Sequence, residues 1–211
     1  MAGRFPLLAG SIAGALTLCL AGCASSPHTR FYTLHPVGER QVERTATPAA
    51  PVSVFVRPVD IPDYLDRPQI VTRSGHNELV LAEFDRWAGS LADDITAVVA
   101  EDLSRLLGTE RVYSNRSVQG EKADYTVALR ILRLDCTPGE SVFMRAQWLV
   151  RCPGEGKSVS VQGGTFTAPV KDRQYQTVVA AVSKVLEQVS IAIARDIAPA
   201  ERAADKTGAP R

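Results

Sequence analysis

Between Trp87 and Leu107 the apolar residues recur in steps of three and four: Trp87, Leu91, Ile95, Val98 and Val99, Leu103, then Leu106 and Leu107. That spacing puts them on one stripe of an α-helix. Ser90 stands where a side-chain oxygen can cap the first turn, and Gly108 where a left-handed residue ends the last. A second helical stripe runs through Tyr175, Val178, Val182, Val185, Leu186, Val189 and Ile193, with Asp172 as its expected N-cap and Pro199 as its stop. Between the two helices the period changes to two. In Tyr125–Asp135 the apolar Tyr125, Val127, Leu129, Ile131 and Leu134 stand against Thr126, Arg130 and Arg133, which predicts a strand with one buried and one wet face. Ser141–Arg151 and Ser158–Phe166 continue it as a meander through Pro/Gly turns. Shorter strands are expected at Phe31–Leu34, Val52–Val56, Glu78–Ala82 and Arg111–Tyr113. Together these predict an α+β fold: a mainly antiparallel sheet with two amphipathic helices packed on one face.

The N-terminus follows neither period. One basic residue, Arg4, precedes an apolar stretch from Phe5 to Leu20, the small pair Ala21-Gly22, and Cys23. That order reads as an export signal over residues 1–22. A single membrane-spanning anchor is the rival reading, since Phe5 to Cys23 is long enough to cross a bilayer, although Pro6 and three glycines dilute it. Leu20-Ala21-Gly22-Cys23 resembles the bacterial lipobox, in which the cysteine thiol takes a diacylglyceryl group and the new amine is acylated. On that reading Cys23 is the lipidated first residue of the mature chain. Two or more acyl chains, palmitate among them, then give stable anchoring, where one would be reversible. Residues 23–50 form a lipidated tether, the short Phe31 strand and a linker rich in proline and charge. Residues 51–198 form the domain, and 199–211, with no large apolar side chain, are expected to be disordered.

Removing the first 22 residues takes away one charge, Arg4, and leaves 23 basic and 23 acidic side chains. A nucleic-acid partner is not expected, because neutralising phosphates requires a basic surplus. Besides Cys23 the mature chain holds Cys136 and Cys152. With Cys23 acylated they are the one pair available for a disulfide, in the oxidising compartment that a lipobox implies; against it, the predicted hairpin puts Cys136 at the turn and Cys152 at the open end, about 30 Å away at about 3.3 Å per residue.

Catalytic patterns are not met. Gly154-Glu155-Gly156-Lys157-Ser158 resembles a phosphate loop, but Arg151 stands where the first glycine belongs. There is no Gly-x-Ser-x-Gly elbow, and His28, His35 and His76 fall in expected loops. The cysteines and histidines have no metal-ligand spacing. Asp93-Asp94 and Glu101-Asp102 diverge by about 100° on their helix and should be solvated. The expectation is a non-enzyme without metal or cofactor.

What remains is Pro62-Asp63-Tyr64-Leu65-Asp66-Arg67-Pro68-Gln69-Ile70-Val71, with Phe84-Asp85-Arg86-Trp87. Two prolines stiffen the first segment, and Asp66 and Arg67 bring charges that a core would reject. One reading is a loop packed over Tyr64, Leu65 and Trp87 with its charges paired locally. The other is a rigid surface for a protein partner, formed by Tyr64, Leu65, Asp66, Arg67, Pro68, Arg86 and Trp87, since Tyr, Trp and Arg are enriched at interface anchors.

The lipobox, Phe31-Tyr32-Thr33-Leu34, Val54-Phe55-Val56-Arg57-Pro58-Val59, the Pro62–Val71 segment, Arg86-Trp87-Ala88, the Trp148 strand and the terminal helix together resemble the ABC-type transport auxiliary lipoproteins, most nearly their paraquat-inducible protein C type. The resemblance implies an outer-membrane lipoprotein facing the periplasm. Its implied partners are a mammalian-cell-entry-type (MCE) conduit protein and, through it, an inner-membrane transporter, which together move phospholipid and maintain membrane integrity. Ala24 after the cysteine, rather than Asp, is similar to the pattern of lipoproteins sorted outward. A lipid carrier with an acyl-chain cavity is the alternative, and a ring of copies around a conduit would suit a docking component.

Overall fold

The computed structural model describes residues 28–36, 38, 52–114, 122–152 and 161–206, the span 198–206 as backbone alone. The expected signal 1–22, the lipidation site Cys23, the linker 39–51, the Gly154–Ser158 turn and residues 207–211 lie outside the described residues.

The chain forms β1 (Arg30–Tyr32), β2 (Val54–Val56), a single 3-10 turn (Asp63–Leu65), β3 (Gln69–Arg73), β4 (Leu79–Trp87), α1 (Leu91–Leu107), β5 (Val112–Tyr113), β6 (Tyr125–Thr137), β7 (Ser141–Arg151), β8 (Gln162–Pro169) and α2 (Tyr175–Lys206). The fold is α+β, as expected, but the strands form two mixed sheets instead of one antiparallel sheet. The larger has the order β5-β2-β6-β7-β8 and the smaller β1-β4-β3. β2 runs parallel to both β5 and β6, and β1 parallel to β4. Among the paired strands only those consecutive in the chain, β3–β4, β6–β7 and β7–β8, are antiparallel. Hydrophobic period reports which face is buried and is silent on strand direction; β2 reaches its parallel neighbours through a crossover that includes α1.

Both helices lie against the larger sheet and touch each other, α2 over β6, β7 and β8 and α1 beside it against β2 and β5. Val54, Val56, Val127, Ile95, Val99, Leu103, Val178, Val182, Val185, Leu186, Val189 and Ile193 are fully buried between these layers. By length and composition Tyr175–Ile197 could cross a bilayer. Here its apolar stripe is instead the core-facing side of a helix packed on a sheet.

The caps of α1 are those expected. Ser90 accepts from the Asp93 N–H (3.3 Å), and Gly108 sits at φ 65°, where a β-carbon would be strained. α2 departs at both ends. Asp172 accepts from the Gln174 N–H (2.9 Å), a turn preceding the helix, and Gln174 supplies the first carbonyl, to Thr177 and Val178. At the other end the helix continues past Pro199 to Lys206, since a proline within a helix forfeits one backbone bond and need not end it.

The β6–β7 hairpin turns at Thr137–Glu140, with Gly139 at φ 82°. Cys136 lies opposite Val142 beside that turn, Cys152 follows Arg151 at the far end, and both thiols are free. Burial, and next the Asp135 charge, push the Cys136 thiol up to about 12. β6 carries a register shift between Ile131 and Arg133. It explains a break in the alternation: the buried positions are odd-numbered up to Ile131 and then move to Leu134.

Candidate docking surface

The partner-facing residues expected from sequence do meet in space. Pro62 leads into the 3-10 turn, whose hydrogen bonds run from Leu65 N–H to Pro62 (2.9 Å) and from Asp66 N–H to Asp63 (3.2 Å). The chain then enters β3. The Pro68 carbonyl accepts from the Trp87 N–H (2.7 Å), and Gln69 lies opposite Arg86. The short strand expected at Glu78–Ala82 thus runs on to Trp87 as β4, and its second half brings Arg86 and Trp87 beside Arg67 and Pro68.

The side chains divide by burial. Leu65 and Trp87 are 3% and 6% exposed and belong to the core. Tyr64 is half-buried. Its hydroxyl donates to the Leu134 carbonyl (3.3 Å) and accepts from the Leu134 N–H (3.2 Å), tying the turn to β6 just past the register shift. Asp66 and Pro68 are exposed, and Arg67 and Arg86 are partly so. The Nε atoms of Arg67 and Arg86 are buried and have no hydrogen-bond partner among the described residues. A buried guanidinium N–H without an acceptor is a costly arrangement.

Sequence reasoning missed the group behind this ledge. Asp85 is buried on β4 and receives Arg30 (2.8 Å) and the Tyr32 hydroxyl (2.7 Å), both from β1. The partners are 55 and 53 residues away, so no local pattern announces them. β1 is held further where the Ala88 N–H donates to the Tyr32 carbonyl (2.9 Å), the Leu34 N–H to Asp94 Oδ2 (2.8 Å) and the His35 N–H to Ser183 Oγ (3.1 Å). The N-terminal segment is therefore fastened to β4 and both helices.

Burial first, and then the bond to Asp85, push the Tyr32 phenol from its ordinary value of 10.0 up to about 12. A proton held more tightly in the folded state gives stability that is complete below pH 10 and is lost as pH rises through about 12. Docking of β1 should loosen in that window. Ultraviolet titration of tyrosinate should show a late-ionising phenol that is lost in Tyr32→Phe, and a late phase unchanged by that substitution would contradict the assignment.

Two clefts flank this region. One of about 560 Å³ lies between Phe31–Gly38 and α2, with Gln176, Lys184 and Glu187 in its wall. The other, of about 420 Å³, lies between the β3–β4 hairpin, the β6–β7 turn and Arg173 and Tyr175. Both mix charged and apolar side chains. Among the described residues no three His, Cys, Asp or Glu side chains are grouped to hold a metal ion.

A sequence model of the ABC-type transport auxiliary lipoprotein component matches residues 32–194. No curated protein matches the sequence. Solved structures share the fold. A protein from Xanthomonas campestris, assigned to a family of unknown function, aligns with a TM-score of 0.69 at 15% identity over 84% of this chain and 99% of that one. A second crystal structure, of an uncharacterized protein, gives 0.66 at 20% identity over 81% and 99%. At these identities the likeness is one of fold.

Proposed function

The chain belongs to the ABC-type transport auxiliary lipoprotein family, and on that footing we propose that it is the outer-membrane docking component of an MCE-type phospholipid transport system. In this reading Cys23 carries the acyl chains, Ala24 permits sorting to the outer membrane, and the domain faces the periplasm. It holds the outer end of a conduit protein that an inner-membrane transporter feeds. It performs no chemistry itself and contributes to membrane integrity by fixing the conduit in place.

The observation that carries the reading is the ledge at Asp66–Pro68 and Arg86. Asp66 and Pro68 are exposed, Arg67 and Arg86 partly so, and the segment is braced by two prolines and by the bonds of Tyr64 and Pro68. A preformed surface loses little conformational entropy on binding. The seven residues Ala24–Arg30 limit the tether to about 25 Å at roughly 3.5 Å per residue, so the domain stays close to the membrane. The carrier alternative gains less support, because both clefts open to solvent and carry charged walls.

The test is site-specific photo-crosslinking in cells of the full-length protein, with the probe at Asp66, Pro68 or Arg86 and, as control, at exposed Glu101 on α1. Adducts with the MCE-domain protein from the ledge positions and none from Glu101 support the proposal. Adducts from Glu101 alone, or none from any position, overturn it.

A further inference from the structure

We infer that the tip of the β3–β4 hairpin is a membrane-contacting element, its exposed Leu79, Val80 and Leu81 seated in the headgroup region of the bilayer that anchors the protein. The inference rests on the lipidation of Cys23 proposed above. Leu79, Val80 and Leu81 are 38%, 41% and 46% exposed, three consecutive apolar residues at the open end of β4. Successive strand residues point to opposite faces, so both faces of the tip are greasy. A half-buried strand in water would leave one face polar. The strand is also unshielded on one side. β1 covers only Asp85–Trp87, and among the described residues nothing pairs with Leu79–Phe84 on that edge.

The direction of β1 says what meets this tip. β1 is parallel to β4 with Arg30 opposite Asp85. Followed backwards from Arg30, the chain therefore heads towards Leu79. Cys23 lies seven positions before Arg30, a reach of about 23 Å at about 3.3 Å per residue. Leu79 lies six positions before Asp85, a run of about 20 Å on the same scale. An acyl group on Cys23 would therefore be within reach of the apolar tip at that end of the small sheet. Pro68 and Trp87, which carry the docking ledge, are at the opposite end of that sheet. Anchor and tip would then lie together at the lipid, leaving the ledge turned to the periplasm.

Charge contributes little. Of the charged residues in the cleft beside the hairpin, Arg73 is paired with Asp135 and Arg173 is offset by Glu140, so apolar insertion should carry the contact and salt should hardly weaken it.

The test uses full-length lipidated protein in phosphatidylethanolamine/phosphatidylglycerol vesicles, with Cys152→Ser removing the half-buried thiol while the buried Cys136 stays unreactive. An environment-sensitive fluorophore is placed at Leu79→Cys, Leu81→Cys or, as control, Arg151→Cys at the far end of β7. At the two tip positions we expect blue-shifted emission that is quenched by lipid bearing a nitroxide near its headgroup, at low and high salt alike, with Arg151→Cys unquenched. Protein that stays on the vesicles while the tip labels remain water-like overturns this inference and leaves the anchor intact. Protein that washes off the vesicles removes the anchor and this inference together. Disulfide-linked dimers of unlabelled Leu81→Cys protein, with no quenching of the labelled protein, would overturn it and assign the open edge to a second copy instead.

Discussion

Replacing Trp148 with alanine is expected to lower the unfolding free energy by about 3–5 kcal/mol, the range for emptying a buried aromatic site. Trp148 is 6% exposed on β7, its ring tilted against Phe166 of β8 with centroids 6.2 Å apart. The indole N–H donates to Asp196 Oδ2 at 2.7 Å, a bond from the sheet to the last described turn of side chains on α2. Alanine removes the ring, opens the space between sheet and helix, and leaves the Asp196 carboxylate without its donor. For a domain of this size the midpoint temperature should fall on the order of 10 °C. Trp148→Phe keeps most of the area and loses the charged hydrogen bond, for about 1.5–3 kcal/mol. Urea denaturation of both variants, combined with Asp196→Ala in a double-mutant cycle, separates ring from bond. A loss for Trp148→Ala no larger than for Trp148→Phe would mean that the ring contributes nothing.

The second large effect is expected at Asp135. This carboxylate is buried at the end of β6, with Arg73 of β3 at 2.7 Å and Arg133 also paired to it. β3 and β6 belong to different sheets, so the Arg73–Asp135 contact couples them. The contact is a close charge pairing without an aligned hydrogen bond at Asp135 Oδ1, and Arg73 Nε is unbonded. Removing the carboxylate strands the arginine next to the core. The loss for Asp135→Ala should be about 2–3 kcal/mol, below the roughly 3–5 of a fully buried pair because Arg73 keeps 19% exposure. Hydrogen exchange should show the β3–β4 hairpin opening more often while β7 and β8 stay protected. Equal loss of protection in all strands would show that the pair does not join the sheets locally.

Local signals made much of this fold legible. Ser90 and Gly108 bound α1 because capping is a property of single residues, and Ser141–Arg151 is a strand with the bounds its alternation predicts. The exchange of odd for even buried positions at Ile131 was visible as imperfect alternation; its cause, the register shift, appears only against β7. What escaped were features fixed by distant partners. Asp85 is tolerable inside β4 only because Arg30 and Tyr32 arrive to meet it, and before that pairing is known the charge gives no reason to carry the strand past Ala82. Of the candidate surface, Pro62 and Pro68 revealed its rigidity. The burial of Leu65 and Trp87 could not be told from exposure, since both residue types serve cores and interfaces alike. Leu79–Leu81 carries the composition of an inner strand, and only the placement of β1 along half of β4 leaves it uncovered.

The parallel alignment of β1 with β4 also determines how the domain bears mechanical load. A tug on the N-terminal leash acts along the strand axis, so the rungs joining Arg30, Phe31 and Tyr32 to Asp85, Arg86 and Trp87 are sheared together, where a transverse pull would peel them one by one. The clasp of Arg30 and Tyr32 on Asp85 lies in the same line of force. Under the proposed anchoring, a short strand attached this way would resist a pull from the lipid until the whole seam yields at once.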